Sequence, residues 1–512
     1  MIKKSLTLGV LLLLFGSIVF SNVNSISTIQ PYKKNSYISN KDGLDIHYIF
    51  NITENLSNII FTQYNESAGE IAKGRAFGTK GERHAAKILE ENMTKIGLYT
   101  YKEQLCNSEK YPDLTHELEI VDYYVKINNK TVDAYIAPVW IKNSENNNSL
   151  NFTYNYSGLK VIKPPLIPSL YVSSVKLINK LEPFVLILKD KAFYPDSPLN
   201  FLPFWNNFIF NYKVVNIIYR GVPVLYSYLW DRYLDYCKGI ILYDFNKDTY
   251  DMNILKNINH IPFIYINGSN GAKILEDHKN TKIGFKLEQK LNTSVISYNV
   301  IGQLNATNKE NDTIIIDCLY DSWWCQGTAD SAIGMSMVLA IAKWFKENKI
   351  TPKYNIKFIG FSGEEHGFVA GSRHYENLHK DEKIKYVIDL NQLGFWQNNS
   401  KLILNIISNN FCFLKNIWKI VKQSNYGKRV NSSEKARPIF MKDGGPSNSN
   451  PFAKNRNNCI TVCFLKDSGW RYHHRDGLNH SEGDVLKYFD FEDVEITGEI
   501  ILNIVKYLTL DR

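Results

Sequence analysis

Acidic and amide side chains follow three apolar segments in the middle of the chain. Asp330 comes three residues after Gly327, and the consecutive pair Glu364 and Glu365 follows the strand-like run NIKFIGF. A third apolar run, YVIDL, ends at Asn391. Helical patterns separate these runs, and strands that alternate with helices predict a parallel sheet, which places ligands beyond the carboxyl ends of its strands. These polar residues are therefore predicted to form one site.

The predicted site has the composition of a catalytic metal centre. One Asp, one Glu and one His suit a zinc ion that keeps its fourth position open for water. Asp330 and Glu365 supply the carboxylates, and the downstream pair His473 and His474 supplies imidazoles. Because bound zinc lowers the pKa of its water to about 7, the neighbouring Glu364 is predicted to act as general base.

Several motifs give the chain a resemblance to a known family. The segments YDSWWCQGTADSAIG, FSGEEHGFVAGSRHY, VIDLNQLG and YHHRD resemble the HYDS, GAxDNASG, FxxEExGLxGS, NxDMxG and HTxxD motifs of the M28 zinc aminopeptidases. Segments 74–98 and 297–304 resemble flanking parts of the family, so the resemblance covers about half of the chain. It implies an α/β fold with a mostly parallel central sheet covered by helices on both faces, and a peptide or protein substrate.

Two departures from these motifs remove ligands of the second zinc ion that the family binds. Leu319 stands at the His of HYDS, and Asn391 stands at the Asp of NxD. Leucine has no lone pair, and a neutral amide is a weak zinc ligand beside a carboxylate or an imidazole. We therefore expect this second position to be degenerate and the chain to bind one zinc ion.

The histidine ligand stays open between two neighbours. YHHRD is one residue shorter than HTxxD, and we prefer His473 with His474 as the alternative. Each assignment also has a simpler interpretation: Asp330 precedes a helical pattern, where a carboxylate is stabilised by the helix N-terminus without any metal. The glutamate pair and the histidines are, in the same way, compatible with ordinary loop and surface residues.

Three functions are compatible with this pattern. The first is a metallo-aminopeptidase that hydrolyses N-terminal peptide bonds. The second is a catalytically inactive binding or scaffold protein of the same fold, and the third is an acyltransferase similar to the single-zinc glutaminyl cyclases of the family. The chain lacks both ligands that are specific to the second zinc ion but retains the ligands of the first. This pattern favours an enzyme over an inactive relative.

The composition divides the chain into four parts. Residues 1–25, with a basic start and an apolar run from Leu6 to Phe20, predict a signal peptide. Residues 26–140 and 291–512 are assigned to the peptidase domain, the second carrying the catalytic motifs. Residues 141–290 contain proline clusters and short β-rich segments that resemble a protease-associated domain, a family insert without catalytic residues.

Charge and export signals limit the partners. The net charge of +9 comes from scattered lysines without a basic stripe, so no nucleic-acid partner is expected. An exported protein, secreted or extracytoplasmic, agrees with fifteen Asn-x-Ser/Thr sequons, and a membrane association is expected only if the N-terminal segment is not cleaved. The seven cysteines either form some disulfides or lie buried as apolar residues. The sequence leaves the oligomeric state open.

Apolar periodicity predicts the remaining elements. Helices are expected over 70–96, 331–348, 411–424 and 492–510, and strands over 117–126 and 131–141. Gly74, Gly78 and Gly81 indicate a break inside 70–96 that would divide it into two helices.

Overall fold

The computed structural model describes most of the chain beyond its N-terminal segment. The described residues are 43–59, 62–65, 69–72, 74–136, 139, 151–162, 183–189, 236–244, 261–306, 312–365, 369–393, 402–424, 436–442, 444–445, 447–455, 457–466, 483–489 and 491–510. All of them belong to one structural unit, Asn40–Arg512.

Helices and strands alternate along the described parts. The helices are α1 (Ile46–Ser57), α2 (Lys80–Ile96), α3 (Gly268–Glu276), α4 (Ile333–Glu347), α5 (Ala370–Leu378), α6 (Phe411–Gln423), α7 (Ser449–Lys454) and α8 (Phe491–Thr509). The strands are β1 (Thr62–Asn65), β2 (Gly69–Ala72), β3 (Tyr99–Gln104), β4 (Glu117–Ile127), β5 (Lys130–Val132), β6 (Ala134–Ile136), β7 (Asn151–Ile162), β8 (Phe184–Lys189), β9 (Cys237–Asp244), β10 (Phe263–Asn267), β11 (Lys282–Asn292), β12 (Tyr298–Leu304), β13 (Thr313–Leu319), β14 (Asn355–Phe361), β15 (Ile384–Leu390), β16 (Leu402–Ser408), β17 (Ala436–Phe440) and β18 (Asn458–Lys466).

The central sheet has eight strands in the order β17-β16-β18-β15-β13-β14-β12-β3. Its middle strands β18, β15, β13 and β14 are parallel to one another. Antiparallel pairings join β16 to β18 on one side, and β12 to β14 and to β3 on the other. The sheet is therefore mixed, and the predicted parallel arrangement is confirmed for its centre.

Helices cover both faces of this sheet because its central strand is apolar on both sides. Every residue of β13 is buried. Ile314 and Ile316 pack into a core that also contains residues of α1, α2, α4, α6 and α8. Ile315 faces the opposite layer, where it shares a core with Tyr375 of α5 and Phe452 of α7.

The second sheet also has eight strands, in the order β5-β4-β11-β7-β8-β9-β10-β6. Strands β7 to β10 are parallel, whereas β4, β5, β6 and β11 join antiparallel. Strands β4 to β6 precede residue 141 but pair with β11 and β10, so the predicted boundary at 141 falls inside the set of strands that forms this sheet. Pairing between such distant segments leaves no signal in local composition. The protease-associated identity of residues 141–290 stays a prediction.

The predicted helices agree with the structure except at one start. Helices α4, α6 and α8 begin and end within two residues of their predicted bounds. The helix expected from residue 70 was wrong at its N-terminus, because β2 and a turn precede α2. Gly74 and Gly78 adopt φ of +46° and +76° in that turn, and the Thr79 side chain accepts a hydrogen bond from the backbone N–H of Glu82 to cap α2.

No disulfide joins any of the seven cysteines, all of which lie in the described ranges, and five of them are buried. Of the two alternatives, burial as apolar residues therefore describes Cys237, Cys318, Cys325, Cys459 and Cys463. None of the helices in the described ranges is both long and apolar enough to cross a membrane. The predicted signal peptide lies outside these ranges.

Candidate metal centre

Loops at the carboxyl ends of the parallel strands carry the predicted site. Leu319 at the end of β13 is in register with Phe361 at the end of β14, so the following loops leave the sheet at the same level. The loop after β13 leads to Asp330, and the loop after β14 carries Glu364 and Glu365. This is the edge at which open parallel sheets bind ligands.

A buried carboxylate holds the turn that contains the two glutamates. Asp321, fully buried, accepts hydrogen bonds from the backbone N–H groups of Glu364 (3.1 Å) and Glu365 (3.2 Å). The backbone N–H of Val369 closes the same turn by donating to the carbonyl of Glu364 at 3.1 Å. Asp321 therefore fixes the backbone from which both glutamate side chains project.

Asp330 lies in a short turn, Thr328–Ala332, that precedes α4. Its backbone is not helical (φ −115°, ψ 75°), and its peptide bond to Ser331 is cis. The residue that caps α4 is Ala332, without a side-chain hydrogen bond. Asp330 therefore does not serve as the helix cap of the simpler interpretation.

A second buried carboxylate, which the sequence analysis did not identify, holds the backbone at Asp330. The Asp484 side chain accepts hydrogen bonds from the N–H of Ala329 at 2.7 Å and from the N–H of Asp330 at 3.1 Å. Burial raises the pKa of Asp484 to about 7, and the charge of Asp330 adds to the rise. These two bonds connect the C-terminal part of the chain to the predicted ligand loop.

The loop between β13 and Asp330 is also tied down by a buried cation. The Arg75 guanidinium donates to the carbonyls of Tyr320 (2.8 Å), Gln326 (2.5 Å) and Gly327 (2.9 Å). Gly327 has φ +58°, and a Cβ there would lie 2.5 Å from the carbonyl oxygen of Asp330, so only glycine fits. This role of Arg75 was missed because it depends on carbonyls about 250 residues away in the chain.

The two degenerate positions have different surroundings. Leu319 is fully buried in the apolar core beneath α4. Asn391 donates from Nδ2 to the hydroxyl of Ser447 at 3.0 Å. Its neighbour Gln392 donates from Nε2 to Oδ2 of Asp330 at 3.3 Å, a contact with the predicted ligand that the sequence analysis missed.

Negative charge accumulates at this edge. Glu364 and Glu365 are partly exposed, yet the protein packed around Glu364 raises the pKa of its carboxyl well above the usual range. The charges of Glu365 and Asp330 raise it further. A bound cation would offset this repulsion, and a carboxylate pair with one imidazole is a donor set that fits zinc.

The histidine part of the site lies elsewhere in the chain. His473 and His474 are outside the described residues, so both stay predictions. Within the described ranges, no group of three or more His, Cys, Asp or Glu side chains is arranged to hold a metal ion. The position of Asp484 reveals a signal that was missed: His480 precedes it by four residues, which is the spacing of His and Asp in HTxxD.

Two tryptophans connect the Asp330 loop to the second sheet. Trp323 and Trp324 are each 2% exposed and belong to the core that contains Ile241 and Phe285 of the second sheet. The ring of Trp324 meets that of Tyr135 edge-on, with 6.4 Å between their centroids. The loop that leads to the predicted ligand is thus part of the apolar core of the second sheet.

Comparisons with known proteins agree with this geometry. Residues 299–505 match the family model of Peptidase family M28. Aminopeptidase YwaD of Bacillus subtilis (strain 168) is 26% identical over 200 residues, which is 38% of this chain. The match spans 42% of that protein's length.

Solved structures show the same fold. BSAP, a zinc aminopeptidase from Bacillus subtilis, matches with a TM-score of 0.59 and 16% identity over 92% of this chain and 96% of that one. A Peptidase M28 precursor from Shewanella amazonensis SB2B matches with a TM-score of 0.57 and 13% identity over 89% and 91% of the two chains. Identities this low establish the fold alone. With the family match and the carboxylates at the sheet edge, they confirm the resemblance: over residues 299–505, the chain is similar to peptidase family M28.

Proposed function

We propose that this protein is a zinc-dependent aminopeptidase that hydrolyses N-terminal peptide bonds. One observation carries the proposal: the two backbone hydrogen bonds to Asp321 fix Glu364 and Glu365 in one turn at the carboxyl edge of the sheet. Consecutive glutamates on a fixed turn have different surroundings, so one can bind a metal while the other exchanges a proton. The family relationship and the zinc aminopeptidase fold support the same activity.

The residues divide into ligands and a base. Asp330, Glu365 and one imidazole would hold a single zinc ion, which when bound polarises the substrate carbonyl and makes water more acidic. Glu364 accepts the proton of the attacking water and then donates it to the leaving amine.

For the imidazole we favour His480 over His473 and His474. The segment His480 to Asp484 reproduces the HTxxD spacing without a missing residue, and Ser481 takes the place of the Thr. Asp484, which ends this segment, is hydrogen-bonded to the Asp330 loop. Four residues of extended chain span at most about 14 Å, so a histidine at this spacing from Asp484 is able to reach that loop.

Metal content and activity of purified variants test the proposal. We expect one zinc per chain in the wild type, retained in Glu364→Gln but lost in Glu365→Ala. Glu364→Gln should abolish release of N-terminal residues from peptides, a loss on the order of 100-fold or more. Among the histidine variants to alanine, the one at His480 should lose zinc, while those at His473 and His474 should keep it.

Other outcomes separate the alternatives. A wild-type protein without zinc and without turnover is a binding or scaffold protein, and turnover of N-terminal glutamine without peptide hydrolysis identifies a cyclase-like acyltransferase. We also propose that the protein acts outside the cytoplasm, on the strength of the apolar segment Leu6 to Phe20. N-terminal sequencing of the mature protein tests this, because an intact Met1 would contradict cleavage.

A further inference from the structure

Two aspartates lie side by side within the central sheet, below the edge that carries the site. Asp317 on β13 is the register partner of Asp389 on β15, and both are fully buried. Side chains alternate along a strand, so Asp317 shares the face of Ile315, whose core contains Phe452 of α7. The pair lies two residues, about 7 Å along the strands, before the two degenerate zinc positions.

These carboxylates have few hydrogen-bond donors. Oδ2 of Asp389 accepts from the N–H of Ser449 and from the hydroxyl of Thr461, each at 3.2 Å. Among the described residues, neither oxygen of Asp317 and not Oδ1 of Asp389 has a hydrogen-bond partner. Burial, and next the charge of Asp389, raise the pKa of Asp317 well above its usual range. Buried charges are normally paired, so three such oxygens require either a cation or a shared proton.

Buried amides add oxygen atoms beside the aspartates. Asn391, 6% exposed, donates to Ser447, whose hydroxyl also hydrogen-bonds to Asp389. The amide oxygen of Asn391 has no partner in the described part of the chain. Asn448, between Ser447 and Ser449, is fully buried, and both of its amide atoms also lack partners there. A cation at the aspartate pair would satisfy amide oxygens that otherwise lose their hydration without compensation.

We propose that Asp317 and Asp389 bind a hard divalent cation of the calcium or magnesium class, completed by the amide oxygens of Asn391 and Asn448. Such cations take carboxylate and amide oxygens as ligands, and two positive charges balance the two carboxylates. Zinc fits this set less well, because it prefers imidazole and thiolate to neutral oxygen donors. The cation would connect β13, β15 and the start of α7 beneath the candidate metal centre.

The full chain, stripped with a chelator and then titrated with calcium, magnesium or zinc chloride, tests this site. We expect one calcium or magnesium per chain, measured by calorimetry, and an increase of several degrees in the unfolding temperature. Asp317→Asn and Asp389→Asn should each weaken this binding by at least 10-fold. Asp312→Asn, which alters a partly exposed ion pair with Lys385 at the start of the same strand, should leave it unchanged.

Further arms separate this site from the proposed zinc centre. Glu365→Ala should lose zinc yet keep the calcium or magnesium response, so failure of either proposal leaves the other testable. If the asparagine variants do not fold, terbium luminescence on the wild type, displaced by calcium, still reports the site. The inference is overturned if the wild type binds none of these ions, if only zinc or sodium binds, or if infrared spectra show a protonated carboxyl that persists at saturating calcium.

Discussion

Removal of the Asp484 carboxylate should loosen the loop that carries Asp330. Asp484 is fully buried and accepts hydrogen bonds from two backbone N–H groups, at 2.7 and 3.1 Å. Each buried donor left without an acceptor costs about 1–3 kcal/mol, so Asp484→Ala loses roughly 2–6 kcal/mol from these bonds. Relief of the repulsion with Asp330 offsets part of this loss, and we expect a net destabilisation near the lower end, about 2 kcal/mol.

The effect on metal binding should be separable from the effect on stability. Residues that orient a ligand typically contribute 10–100-fold to metal affinity, so zinc affinity, measured by chelator competition, should fall by about that factor in Asp484→Ala. Asp484→Asn keeps one acceptor oxygen and should therefore lose less zinc affinity and less unfolding free energy than Asp484→Ala. Asp312→Ala serves as control because its ion pair is partly exposed and lies at the start of β13, whereas the site lies beyond the end of that strand. An Asp484→Ala protein with unchanged zinc affinity and unchanged unfolding free energy would refute the reasoning.

Two further predictions concern the elements around the site. Burial raises the pKa of Glu82 from 4.5 to about 7, so between these pH values the folded protein retains a proton that the unfolded chain releases. The stability that this group contributes is therefore complete below pH 4.5. It falls by roughly 3 kcal/mol as the pH rises to about 7. Glu82→Gln should remove this slope in urea unfolding at acidic and neutral pH, whereas exposed Glu347→Gln should keep it; an unchanged slope in Glu82→Gln contradicts the assignment. Trp323→Ala should lower the free energy of unfolding by about 3–5 kcal/mol and also weaken zinc affinity. Trp418→Ala on α6 should leave zinc affinity intact. Equal zinc affinity in both variants would show that the second sheet does not support the ligand loop.

The sequence predicts the central strands and the long helices well because their signals are local. A continuous apolar run such as β13, or the strong periodicity of α4 and α8, identifies an element without reference to the rest of the chain. The same locality explains the wrong start of α2, since helix-compatible residues at 70–79 are overridden by two glycines with positive φ.

The sequence indicates candidate ligands more readily than the residues that support them. Family motifs indicate Asp330, Glu364 and Glu365, which the structure places on the loops after β13 and β14, at the carboxyl edge of the sheet. Arg75 acts through backbone groups that are distant in the chain, so no spacing rule indicates it, whereas for Asp484 the only sequence signal is its spacing from His480. The membership of β4 to β6 in the second sheet depends on tertiary pairing in the same way.

The shared core at Trp323 and Trp324 limits how this architecture can be trimmed or recombined. A shortened protein that lacks the second sheet would expose two indole rings on the loop that carries Asp330. The loop would then lose the apolar contacts that order it. If the second sheet were replaced by that of a relative, the new sheet would need pockets that accept the two indole rings, in addition to chain ends that fit. The second sheet and the Asp330 loop are therefore coupled through this core, and substitutions around Tyr135 or Phe285 should alter the proposed hydrolysis from a distance.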